Sequence, residues 1–296
     1  MADLTTTLLQ AGIDASLIDI YGTGFQRVPT DDKPHRKNGA VVVLSVRPLR
    51  VWFKNHGTDV TGVYTEEFGS GLRSRADFSR MMHERRQARV EREASQTEAA
   101  KRAKVLWKSA RCADPNHPYL SRKKVGAHSI RQLDDNLVIP LRVASDMQSL
   151  QFISPEGDKK FLYGGRVSGC NHGIGVPSNP LIICEGYATA ATLHEVLQLG
   201  VAIAFNAGNL TRVAIELQRR YPNSQIVIAA DNDTCTVGNP GLRYATEAAS
   251  AVNGRYIAPR FGTTNSAEPL TDWNDYANRF GVGALLTCFA EVRDAG

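Results

Sequence analysis

Three short apolar runs, Leu181-Ile182-Ile183-Cys184, Val201 to Phe205 and Gln225 to Ala230, constrain this chain more than anything else in it. Helical stretches separate them: an Ala-rich segment from Ala188 to Leu199, and a second that ends near Tyr221. Short apolar runs alternating with helices of about ten to fifteen residues predict βαβ units and a parallel sheet. Strands buried on both faces carry no polar alternation, and these carry none. In an open sheet of this kind the ligand crevice lies beyond the carboxyl ends of the strands. Glu185 follows the first run and Asp231 the third. If those two strands are neighbours, both carboxylates enter one crevice.

Acidic groups held close together repel unless a cation lies among them. Mg²⁺ is the natural candidate, because it takes oxygen ligands and keeps coordination sites for phosphates. Asp231-Asn232-Asp233 is also an ordinary turn sequence, and either piece alone reads as well as structure. Two other acidic motifs are tested by spacing. An EF-hand loop needs an oxygen ligand two residues past Asp233 and then Gly, where this chain has Cys235 and Thr236. Haloacid-dehalogenase phosphatases also open on Asp-x-Asp after a strand, but usually carry Thr or Val where Cys235 stands.

Taken in order, Glu185-Gly186-Tyr187-Ala188-Thr189-Ala190, Asp231-Asn232-Asp233 and Asp272-Trp273-Asn274-Asp275 resemble the three acidic motifs of the Toprim domain. The resemblance is to Toprim DNA primases, above all those of conjugative plasmids (TraC-type) and satellite phages. It runs from about Leu106 to Asp275, with a fainter echo near the N-terminus. It implies a mixed α/β fold: a Toprim-like parallel sheet flanked by helices, preceded by a β-rich basic subdomain, a long charged helix and a small N-terminal α+β module. It also implies a primase that makes short RNA primers on a single-stranded DNA template from ribonucleoside triphosphates. A replicative helicase, or conjugation and replication proteins, would be its partners.

By the same resemblance Asp231 and Asp233, with Asp272 added, hold Mg²⁺ or Mn²⁺. Glu185 is a metal ligand or the general base for the attacking 3′-hydroxyl; the residues do not separate these. Lys160 and Arg166 face the metal site and neutralise phosphate, and Arg122 and Lys123 in the basic run Ser121 to Val125 join them. Asn209 either touches phosphate or caps the next helix, and capping is the simpler role. For Asp272 capping competes with ligation. A metal-dependent Toprim nuclease and a non-catalytic single-stranded-DNA-binding protein are the alternatives. The chain has no P-loop, so a helicase motor is not expected.

The resulting organisation is a 1–70 N-terminal module, resembling a zinc-less template-binding domain; a 71–112 linker helix; a 113–178 basic subdomain; and a 179–296 catalytic domain. In the module, Asp3 to Ile20 has a helical period, and Val41 to Leu44 and Val51 to Phe53 read as strands around a turn at Arg47-Pro48. A basic turn spans Pro34 to Gly39. Trp52, Phe53 and Tyr64 are core residues or stacking surfaces for bases. From Asp77 to Trp107 there is neither Pro nor Gly, and good helix formers dominate. Pro115 and Pro118 end that helix, and His117 between them reads as a turn-fixing residue. Residues 136 to 163 read as an antiparallel meander.

The net charge is only +5, but Arg73 to Lys124 holds fifteen Lys/Arg against six Asp/Glu, an excess of nine that leaves the remainder at −4. A basic stripe next to an acidic site suits a protein that grips a phosphate backbone. The five cysteines form no Cys-x-x-Cys pair, which points to a reducing cytoplasm. No stretch is apolar enough to span a membrane, and no signal peptide is read.

Overall fold

A computed structural model describes residues 3–20, 24–34, 37–46, 48–66, 75–233, 239–262 and 270–293. The turns expected at 35–36 and 47, the first residues of the 71–112 helix and Cys235 lie outside them. The chain divides into two compact units, Met1–Glu93 and Ala94–Gly296.

In the first unit, helix α1 (Leu4–Gln10) precedes a four-stranded antiparallel sheet of β1 (Phe25–Val28), β2 (Gly39–Val46), β3 (Leu49–Asn55) and β4 (Thr61–Thr65), in that order. The helical period to Ile20 is not realised as one helix. Gly12 takes a φ of +67°, and Asp14 accepts a hydrogen bond from the Ser16 amide to start a separate 3₁₀ turn, Ala15–Leu17. Leu8, Ile13, Val28, Val41, Val51 and Phe53 form the core. Buried Asn55 ties sheet to helix, donating from Nδ2 to the carbonyl oxygens of Ala11 and Gly12 at 3.0 and 3.2 Å.

Helix α2 (Arg75–Ser109) is uninterrupted. Its last turns are not polar all round: Ala99 and Ala103 are fully buried, and Leu106 and Trp107 continue the same face at helical spacing. Ala103, Leu106 and Trp107 pack on a second antiparallel sheet of β5 (Arg111–Cys112), β6 (Arg131–Leu133), β7 (Asn136–Val143), β8 (Asp146–Ile153) and β9 (Lys159–Phe161). Arg131 lies over the Trp107 ring at 4.7 Å. Between β5 and β6 stands the short helix α3 (Pro118–Lys123). His117 caps it, accepting from the Tyr119 amide through Nδ1 and donating from Nε2 to the Asp135 carbonyl at 2.8 Å.

The third sheet has the order β10-β12-β11-β13-β14, with β11 (Leu181–Cys184), β12 (Val201–Ile203), β13 (Ile226–Ala229) and β14 (Arg255–Ile257) parallel, and β10 (His172–Ile174) antiparallel at one edge. Helix α4 (Tyr187–Leu197) packs on one face with α7 (Trp273–Phe280) and α8 (Val282–Cys288); α5 (Leu210–Arg220) and α6 (Pro240–Ala251) cover the other. A last turn, α9 (Ala290–Arg293), follows. The fold is therefore mixed α/β, with a parallel sheet flanked by helices. The four residues of β11 and the four of β13 are all buried, which is why their sequence shows no alternation. One core cluster joins Leu137, Ile139 and Ile153 of the second sheet to Ile182 and Cys184 of the third and to Tyr187 of α4. No helix of the described residues is long and apolar enough to cross a membrane.

Candidate active site

Cys184 pairs with Ala229 in the parallel ladder between β11 and β13. Glu185 and the Asp231–Asp233 segment therefore leave the sheet side by side. Desolvation pushes the Glu185 carboxyl up to about 7, the Asp233 charge adds to this, and the Ala207 backbone amide and Lys159 pull it back. Asp231 is driven well above the carboxylate range, first by burial and then by the charges of Glu185, Asp272 and Asp233. Asp272 is raised by burial and by Asp275. Glu185 Oε1 and Asp231 Oδ1 are buried without any hydrogen-bond partner. Oxygens left in that state are costly, so the arrangement is incomplete without a proton or a cation.

The loop that carries the aspartates is held from several directions. Asn232 donates from its amide N–H to nothing local but to the Thr271 carbonyl at 2.7 Å, and from Nδ2 to the Pro259 carbonyl at 2.7 Å. Asn239 donates to Asn232 Oδ1 at 2.7 Å and accepts from the Asp233 amide at 3.1 Å. Gly241, in the first turn of α6, allows the closest approach: a Cβ there would lie 2.7 Å from the Asp231 carbonyl oxygen. Asn232 is thus a scaffold between two acidic residues. Asn239, eight positions beyond Asp231, went unread in the sequence because an Asn before Pro signals a turn and nothing more.

Asp272 does two things at once. Its Oδ1 caps α7 by accepting from the Asp275 amide at 2.8 Å, in a reciprocal capping box. Its charge also acts on Asp231. Asp275 pairs with Lys123 at 3.2 Å. Buried Asn274 donates to the Lys123 carbonyl at 2.7 Å and to Thr192 Oγ1 at 2.9 Å, which fastens α7 to both α3 and α4.

The basic residues fall differently from expectation. Lys159, not Lys160, acts on Glu185, Asp231 and Asp272. A Cβ placed on Gly186 would lie 3.6 Å from Lys159 Nζ, so the ammonium stands over the start of α4. Strand parity explains the correction. Lys159 pairs with Ile153, which packs toward the third sheet, whereas Lys160 pairs with Phe152, which packs against Leu150 and Trp107. Directly paired residues share a face and successive residues alternate, so Lys160 points away from the carboxylates.

Asn209 needs correcting as well. It is 3% exposed, its side chain caps nothing, and Nδ2 donates to the carbonyls of Ala204 (2.8 Å), Cys170 (3.0 Å) and Val167 (3.2 Å) while Oδ1 accepts from the Gly169 amide at 2.7 Å. With that capacity used, it braces the 166–170 loop against the sheet. Arg166 donates from Nε to the Ser168 carbonyl within the same loop. Arg122 reaches the Pro155 carbonyl at 3.0 Å. A cavity of about 520 Å³ opens between α3, the turn before β9 and the starts of α4 and α7; Arg122, Lys123, Lys124 and Lys159 line it together with Glu156, Asp272 and Asp275. The buried carboxylates thus form one wall, and the four basic side chains, with Glu156 and Asp275 among them, form the other.

Among the described residues no three His, Cys, Asp or Glu side chains stand close enough to enclose a metal ion. The orphaned oxygens of Glu185 and Asp231 nonetheless fit a hard divalent cation, since Mg²⁺ usually takes one or two carboxylates and completes its shell with water and phosphate.

The sequence model of the Toprim domain family matches residues 180–282. Two curated DNA primases TraC of Escherichia coli are 38% and 34% identical over 165 residues, or 51% of this chain; the matches cover 16% and 11% of those proteins. The chain is therefore similar to only a small part of each. A solved DnaG primase catalytic domain bound to single-stranded DNA is 11% identical with a TM-score of 0.46, over 67% of this chain and 80% of that one. Residues 180–282 are a Toprim domain, and its relatives here are primases of the TraC type.

Proposed function

We propose that this Toprim domain, together with the basic subdomain before it, is the catalytic part of a DNA primase that joins ribonucleoside triphosphates into short primers on single-stranded DNA. The observation that carries the reading is the pairing of two orphaned, buried carboxylate oxygens, on Glu185 and Asp231, with an adjacent cavity where Lys159, Arg122, Lys123 and Lys124 outnumber Glu156, Asp272 and Asp275. One wall attracts cations and the other phosphates.

Glu185 and Asp231 would hold Mg²⁺ or Mn²⁺ through their orphaned oxygens, with Asp233 and Asp272 adding negative charge beside them. When bound, such an ion stabilises the attacking and leaving oxygens of phosphoryl transfer. Lys159 stands between the walls and neutralises phosphate charge next to the carboxylates. A Glu185 carboxyl lifted to about 7 is suited to taking a proton from the 3′-hydroxyl near neutral pH, and this role and ligation are alternatives for that residue. Arg166 and the basic residues of α2 steer the template, so binding weakens as salt rises. Template DNA and ribonucleotides are the ligands in this reading, a helicase or conjugation proteins are partners, the N-terminal module engages template, and the cytoplasm is the location.

The test is primer synthesis on single-stranded DNA with four ribonucleotides, one labelled, by wild type, Glu185→Gln and the double variant Asp231→Asn with Asp233→Asn. Labelled oligomers from wild type alone are expected. Equal synthesis by all three discards the site, and DNA shortened without nucleotides replaces the primase with a nuclease.

A further inference from the structure

The segment Lys159-Lys160-Phe161-Leu162-Tyr163 holds two aromatic side chains that the reading above does not use. Phe161 shares a strand face with Lys159, two residues away, and so lies on the side of β9 that looks toward the carboxylates. It keeps 37% of its surface exposed. Its ring meets Phe205 edge to face, with centroids 6.2 Å apart and planes at 75°. Phe205 is almost buried and holds a φ of +70°, a conformation disfavoured for a bulky residue, which persists where surrounding structure enforces it and is frequent at ligand sites. It stands just past the carboxyl end of β12, two residues before Ala207, whose amide acts on Glu185. Tyr163 follows with 88% of its surface exposed, on a backbone held by a 2.7 Å hydrogen bond from Arg102 to its carbonyl.

Core aromatics do not remain this open. Exposed rings next to lysines on a fixed backbone are what a single strand of nucleic acid binds: rings stack on bases, while ammonium groups meet phosphates. Phe205 backs Phe161 and fixes it at the mouth of the crevice. We propose that Phe161 is a stacking surface for an unpaired nucleobase beside the carboxylates, with Tyr163 as the next surface outward. Phe161 is then a positioning residue that sets how deep the base sits. This rests on the nucleic-acid reading of the site but not on its chemistry.

The experiment measures binding, so it needs no synthesis. Fluorescence anisotropy of labelled single-stranded DNA is titrated with wild type, Phe161→Ala, Phe161→Leu, Phe161→Tyr and Tyr163→Ala, without metal turnover. Phe161→Ala and Phe161→Leu are expected to weaken binding by roughly 5- to 100-fold, with Phe161→Tyr close to wild type. Walking one abasic position along the oligonucleotide is expected to reveal a site where wild type and Phe161→Ala bind equally. If the loss falls instead on a labelled ribonucleoside triphosphate, the stacked base belongs to the incoming nucleotide. Unchanged affinity for both ligands in Phe161→Ala, or full rescue by Leu, overturns the inference. Wild type that binds in this pattern yet makes no primer leaves the stacking intact and removes the catalytic reading.

Discussion

Neutralising Glu185 should make the metal-free protein more stable. Its carboxyl rises from 4.5 to about 7 on folding, through burial and the Asp233 charge. Between those values the folded state holds a proton that the unfolded state has released, so this group's contribution to stability is intact below about 4.5 and is lost as pH rises through about 7. A difference of 2.5 corresponds to about 3 kcal/mol, shared with Asp231 because the two carboxylates act on each other. Glu185→Gln removes the charge and keeps the shape. In chelator at pH 8 it should gain about 2–3 kcal/mol, or roughly 5–10 °C in melting temperature for a domain of this size. At pH 4.5 the gain should nearly vanish. Paired thermal melts of wild type and variant at both pH values measure it. A variant that is less stable at pH 8, or equally stabilised at both, refutes the claim that a buried charge at Glu185 strains this site. Mg²⁺ should then raise the melting temperature of wild type and leave the double variant Glu185→Gln with Asp231→Asn unmoved.

Three further outcomes follow from single contacts. Lys159→Met should reduce primer synthesis by roughly 10- to 100-fold, while Lys160→Met changes it little; rates measured side by side check the strand parity. Gly241→Ala gains about 1 kcal/mol of helix propensity but sets a Cβ 2.7 Å from the Asp231 carbonyl oxygen, so activity should fall on the order of 100-fold with only a small change in melting. Asn274→Ala removes the two hydrogen bonds that fasten α7 to α3 and α4 and leaves the buried Thr192 hydroxyl short of a donor, a cost of about 2 kcal/mol in denaturant titration.

The parallel sheet was legible because buried strands, their lengths and the helices between them are local properties, and the position of Glu185 and Asp231 follows once β11 and β13 are neighbours. What was not legible depends on contacts far apart in the chain. Choosing Lys159 over Lys160 requires the register of β9 on β8, where a slip of one residue exchanges the faces. Asn209 lies before a helix and so resembles a cap, but its partners at 167, 169 and 170 come from a loop about forty residues earlier. In α2 the charges conceal a seam of Ala103, Leu106 and Trp107 that exists only because the second sheet lies against it. Phe205 adopts its left-handed conformation at a position where nothing in the local sequence asks for one.

The central claim, that an acidic wall and a basic wall together build RNA on a DNA template, is tested most directly by the product itself. Purified protein, single-stranded DNA and labelled ribonucleotides should yield short oligomers that alkali degrades, present with Mg²⁺ or Mn²⁺ and absent in excess chelator. Undiminished synthesis in chelator, or a metal-dependent loss of the DNA with no labelled product, contradicts it.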